Sequence, residues 1–144
     1  MHSITTLILL FALCQAAPVG AMSMLTTTRG EPVVSGGVGA EEIAALRQQR
    51  SRYTLHILTA ARGSGAYLAG ALVKVADERG ALVLEAHADG PWMLLRLKPG
   101  EYRVTVSYGS ATQASRTRIT QGQTRELMFY FDETVERLPK GATE

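Results

Sequence analysis

The chain is 144 residues long, enough for one domain with a sizeable core. Charged residues make up 19%, and 15 basic against 13 acidic residues leave a formal net charge of +2. The arginines are scattered, which excludes the basic stripe of a nucleic-acid binder. The single cysteine, Cys14, lies in an apolar N-terminal stretch. A chain that has lost this stretch has no thiol for a disulfide, a thiolate metal site or a cysteine nucleophile.

Residues 1–21 read as a secretory signal. Ile4 to Leu13 is an apolar run the length of an h-region and too short to span a bilayer. Small residues follow, with cleavage expected after Ala16 or Ala21. Two alternatives stay open: a buried apolar N-terminal element, and acylation at Cys14. The protein is therefore expected in the periplasm or outside the cell, with no integral membrane span after cleavage. Residues 22–39 are rich in Thr, Ser and Gly and read as a flexible linker. Residues 40–52 read as one short helix. Its good helix formers include Glu41 and Glu42 in the first turn and Arg47 and Arg50 in the last, matching the helix dipole.

From Tyr53 the hydrophobic period changes to two, and residues 53–131 read as a β-sandwich domain. Tyr53 to Leu58 is the first predicted strand and Ala71 to Ala76 the second. Asp77-Glu78-Arg79-Gly80 is a tight turn, with Gly80 suited to positive φ. Leu82 to Ala88 is the third strand. The strongest signal follows: Trp92 to Leu97, a turn at Lys98-Pro99-Gly100-Glu101, then alternation from Tyr102 to Tyr108. Ala111 to Ile119 is polar enough for an edge strand protected by charge. Arg125 to Phe131 is the seventh strand, and 132–144 read as a flexible tail. Seven short strands at spacings of about ten residues predict an all-β, seven-stranded antiparallel Greek-key sandwich with one short N-terminal helix. The connections are too short for crossover helices, so antiparallel neighbours are expected throughout.

Four stretches carry a resemblance. They are Ala71-Leu72-Val73-Lys74-Val75, the turn Asp77 to Gly80, the pair Asp89-Gly90, and Leu97-Lys98-Pro99-Gly100-Glu101-Tyr102-Arg103-Val104. Together they resemble the carboxypeptidase regulatory-like domain family, over about Leu55 to Phe131. Gly65 to Ala69 and the preceding helix are also similar to small exported proteobacterial proteins that carry one such domain. The resemblance implies a seven-stranded transthyretin-like (prealbumin-like) fold and a non-catalytic module that assists folding or docks on partners. Pro99, Gly100 and Tyr102 match the family's apolar-x-Pro-Gly-x-Tyr signature. The fold also includes hydroxyisourate hydrolases, but their Tyr-Arg-Gly-Ser motif does not occur here.

Tyr102, at the start of a strand after Pro-Gly, is placed to return its hydroxyl to a loop carbonyl. Trp92 beside a Gly-Pro turn suits core packing or a partner surface. Arg62, Tyr67, Arg96 and Arg103 suggest a basic–aromatic groove for an anionic glycan or peptide carboxylate. Trp92, Tyr67, Arg62 and Arg96 are the binding candidates. His56 and His87 on predicted strands, with Glu85 or Asp89, sketch a weak metal site, and Asp77, Glu78 and Asp89 a weak calcium site. Turn formation explains these acids better, so no metal and no cofactor is expected. Ser64 in Gly-Ser-Gly lacks the frame of a nucleophile elbow. The expected function is a non-catalytic exported module contacting an envelope protein or polymer. A homodimer through an edge strand is also open, especially if Phe129 and Phe131 are exposed. The alternatives are a carbohydrate-binding sandwich using Trp92, Tyr67 or Tyr108, and a small hydrolase using His56 or His87.

Overall fold

The computed structural model describes residues 22–133, so the expected signal over 1–21 and the tail beyond 133 lie outside the described residues. Nine strands, one helix and one 3-10 turn (Arg50–Arg52) fill them. In chain order these are β1 (Ser23–Thr26), β2 (Pro32–Gly36), α1 (Ala40–Gln49), β3 (Leu55–Ala61), β4 (Leu72–Asp77) and β5 (Leu82–His87). Then come β6 (Trp92–Leu95), β7 (Gly100–Tyr108), β8 (Ala111–Ile119) and β9 (Arg125–Phe131). A five-stranded sheet runs β1-β2-β6-β3-β9, and a four-stranded sheet runs β5-β4-β7-β8. The fold is an all-β sandwich with one short helix.

The core between the sheets follows from alternation. Leu55, Ile57, Met93, Leu95, Phe129 and Phe131 point inward from the five-stranded sheet and meet Val73, Val75, Tyr102, Val104, Val106 and Ile119. Polar β8 does lie at an edge, paired only with β7 along its whole length. The fifth predicted strand matches β7 closely, because a single strict alternation with Gly/Pro punctuation leaves one register open.

Three expectations need correction. Residues 22–39 are not simply a linker: they contain β1 and β2, raising the count from seven strands to nine. Val33, Val34 and Ser35 in β2 are fully buried between β1 and β6. This short strand was hidden by its Ser-Gly end, which exists for a local reason. Asp89 N–H donates to the Ser35 hydroxyl at 2.9 Å, and a Cβ at Gly90 would fall 2.1 Å from the Gly36 carbonyl oxygen. Only glycine permits that backbone approach. The second correction is direction: β9 runs parallel to β3, in register from Leu55–Arg125 to Ala61–Phe131. The chain leaving β8 crosses to the other sheet instead of folding back within its own. A connection of five residues serves either path, so its length carries no signal.

The third correction concerns β3 and β6. Read as alternating or simply apolar, they prove buried on both faces. Their inner side meets the opposite sheet. Their outer side, Leu58, Trp92 and Leu94 with Val34, is covered by Leu46 and Ile43 of α1 and by Tyr53. The helix is held at its start by Glu42, whose Oε2 accepts from the Gly37 and Val38 N–H groups at 2.9 and 3.0 Å. This is a capping-box-like contact from the third helical residue, and it replaces the side-chain cap that Gly39 cannot supply.

Candidate functional site

The candidate site lies on the outer face of the five-stranded sheet at the Ala61 end of β3, away from the His56 end beside which α1 and its 3-10 turn finish. On β3 the outward positions are His56, Leu58 and Ala60, with Arg62 next beyond the strand. On β9 they are Glu126, Met128 and Tyr130, followed by Asp132. The loop after β3 turns back, and Tyr67 pairs with Ala60 on the side opposite β9. Hydrogen bonds from Ala61 N–H to Ala66 O (2.7 Å) and from Leu68 N–H to Thr59 O (2.9 Å) fix this return. Tyr67, Ala60 and Tyr130 therefore form one row across the outer face. Two strand spacings separate the flanking backbones, about 9–10 Å. Ala60 is buried as a small floor, while Tyr67 and Tyr130 remain 46% and 45% exposed.

Three of the four binding candidates meet here. Trp92 sits beneath Tyr67, with ring centroids 6.3 Å apart in an edge-on arrangement. It is buried, so it serves as support and not as an exposed platform; its Nε1 has no hydrogen-bond partner among the described residues. Arg62 closes the row: its Nη2 donates to the Tyr130 carbonyl at 3.3 Å, and its Nε lies 3.9 Å from Asp132. Arg96 is not part of the row. It follows Leu95, which pairs with Leu55 at the far end of β3, roughly 16 Å along the strand from Ala60. Arg103 lies on the other sheet.

Sequence reasoning missed Tyr130 and Met128. It weighed Phe129 and Phe131 as exposed residues, and both are buried, at 4% and 1%. Alternation decides the matter: once both phenylalanines enter the core beside Tyr108, Met128 and Tyr130 must face out. The signal was present in Leu127-Met128-Phe129-Tyr130-Phe131, but its phase needed the partner strand.

Tyr102 belongs to a different network, at the end of the sandwich. Its hydroxyl donates to the Lys98 carbonyl at 2.7 Å and accepts from Arg29 Nη2 at 2.9 Å. Arg29 also makes two hydrogen bonds to buried Glu31, at 2.7 and 3.1 Å. Glu31 accepts further from the Thr27 hydroxyl (3.0 Å) and from Lys98 N–H (2.8 Å). Burial alone would push the Glu31 carboxyl up. The hydrogen bonds from Arg29, Lys98 and Thr27 and the charge of Arg29 outweigh it and hold the group below the ordinary carboxylate range. Every acceptor lobe is used within the protein, so this cluster joins the two sheets. Pro99 and Gly100 sit in the same turn. Gly80 adopts φ +81°, and its N–H donates to Asp77 O, while Asp77 Oδ1 accepts from Arg79 and Ala81 N–H.

The weak metal constellations come apart. His56 is buried on the outer side of the five-stranded sheet, with Nε2 2.9 Å from Arg50 O. A carbonyl can only accept, so that nitrogen carries the hydrogen. His87 is exposed on the outer face of the other sheet, so the two histidines cannot share a metal or a substrate. Asp77 and Glu78 lie at one end of β5 and Asp89 at the other. No group of three or more His, Cys, Asp or Glu side chains is placed to hold a metal among the described residues. No helix among them is long and apolar enough to cross a membrane. No protein-family model matches the chain, and no curated protein matches its sequence.

Proposed function

We propose that this protein is a non-catalytic exported binding module, periplasmic or secreted, that contacts a protein of the cell envelope. The row Tyr67–Ala60–Tyr130 is the observation that carries this reading. Half-exposed aromatic rings on a rigid, fully packed support are what protein recognition favours, because they give large contact area at low entropic cost. The adjacent edge adds a second means of contact. Arg125 and Phe131 bond to the β3 side, so the alternate backbone groups of β9 face away from the sheet. The Tyr130 carbonyl is taken by Gln113 and Arg62, whereas the groups of Met128 that face away from β3 have no partner among the described residues and suit a partner strand. A second copy of the chain docking edge to edge is the homodimer version of this contact.

The transthyretin-like, Greek-key part of the reading applies to β3–β9, seven strands in an arrangement of three and four. In it, β1, β2 and α1 are additions that widen one sheet and cover its back. The resemblance to carboxypeptidase regulatory-like domains supports this.

The test is photocrosslinking in cells from positions 67 and 130, with His87, exposed at the far β5 edge of the other sheet, as control. A discrete protein adduct from 67 and 130 but not from 87 is expected. Adducts from all three positions, or from none, would overturn the reading. A carbohydrate ligand is the second reading, favoured by two exposed rings on one face with Arg62 and Asp132 beside them. Burial of Trp92 counts against the version that uses it as the platform. A glycan array on wild type and on Tyr67→Ala distinguishes the two.

A further inference from the structure

The outer face of the four-stranded sheet has no covering layer among the described residues, and its charges obey a rule with one exception. Lys74 stands opposite Glu85, and Glu101 opposite Arg118; both are opposite-charge pairs, and both form ion pairs. Between these rows lies Leu82–Ala76–Arg103–Arg116, where two arginines stand directly opposite one another. Like charges at directly opposed cross-strand positions are destabilising. Neither Arg103 nor Arg116 forms an ion pair among the described residues, and both are exposed. They line a depression of about 580 Å3 between β8 and the turn joining β4 to β5, next to the small side chain of Ala76.

The surroundings limit what such a pair can hold. Two guanidinium groups match a planar carboxylate through paired, charge-assisted hydrogen bonds. Glu101 is already engaged by Arg118, and Asp77 by its own turn, leaving Glu78 as the remaining acid of the lining. These neighbouring acids repel a doubly charged phosphate more than a singly charged carboxylate. We infer that the Arg103–Arg116 pair is a carboxylate-binding site for an acidic peptide, separate from the aromatic row on the opposite face.

The test is an NMR titration of the 15N-labelled protein with three probes at constant ionic strength. These are acetyl-Gly-Glu-Gly-amide, acetyl-Gly-Gly-Gly with a free C-terminus, and inorganic phosphate. Saturable shifts of the Arg103 and Arg116 Nε–Hε signals with either peptide support the site, and the stronger peptide identifies the carboxylate's source. Arg103→Gln and Arg116→Gln should each weaken peptide binding about tenfold, the loss expected for one charged hydrogen-bonding group. Both variants should melt at or above the parent temperature, because repulsion is relieved. Absence of shifts at both arginines, phosphate binding as tight as the peptides, unchanged affinity in both variants, or a lower melting temperature would each overturn the proposal. Loss of crosslinks at 67 and 130 would leave this site untouched, since it lies on the other sheet.

Discussion

The two outer faces of this sandwich have opposite characters. The face formed by β2, β6 and β3 carries Val34, Leu94, Trp92 and Leu58, and α1 lies over them. The face formed by β5, β4, β7 and β8 carries Lys74, Glu85, Glu101, Arg103, Arg116 and Arg118 and is left open by the described residues. A strand covered on both sides is apolar at nearly every position, with any polar side chain buried, as His56 and Thr59 are in β3. A strand covered on one side alternates. β6 reads Trp-Met-Leu-Leu and β7 reads Tyr-Arg-Val-Thr-Val for that reason. The contrast teaches where recognition can sit. Among the described residues the covered face is free at its margins, where Tyr67 and Tyr130 emerge on one side and Met24 on the β1 side.

The sharpest way to break this contrast is to remove the cover. Leu46→Ala, at a fully buried helix position, should cost about 2–5 kcal/mol in denaturant unfolding, whereas Leu82→Ala on the open face should cost under about 0.5 kcal/mol. Equal losses would show that the helix is not a structural layer. Next in size is the seam between the sheets. Glu31→Gln removes the charge that Arg29, Lys98 and Thr27 converge on, and should cost about 1.5–3 kcal/mol. The same residue gives a pH signature. Its folded carboxyl is held below the ordinary value, so the unfolded chain takes up the proton first as pH falls. Its stabilisation is complete above the usual carboxylate range and drains away as pH drops through the folded value. The wild type should therefore lose stability below about pH 4.3 more steeply than Glu31→Gln, read as melting temperature against pH.

Two smaller effects test the open face. Arg116→Glu places opposite charges across from Arg103 and should raise the melting temperature slightly, while abolishing the peptide shifts. Thr105→Val, in the middle of that face, should change stability by no more than about 0.5 kcal/mol either way. A larger change would mean that the face is covered in the native protein.

Much of β3–β9 was legible locally. Alternation in Tyr102 to Tyr108 and the turn at Asp77 to Gly80 needed no knowledge of distant residues. The charge-protected β8 was also readable as an edge. The candidate site was legible only in part. Tyr67, Arg62 and Trp92 stood out as residue types suited to contact, but nothing in their spacing says that Ala60 lies between Tyr67 and Tyr130. Arg96 is the same type of residue as Arg62 and ended at the far end of the sheet.

The sequence by itself determined which stretches are extended, where they turn and which side chains share a face, because period-two alternation and Gly/Pro chemistry act over a few residues. The tertiary structure alone decided that Pro32–Gly36 is an interior strand, that β9 runs parallel to β3, and that Trp92 lies under a tyrosine. These outcomes depend on backbone approaches and strand pairings between residues up to about seventy positions apart, such as Leu55 with Arg125. No local pattern encodes a partner at that distance.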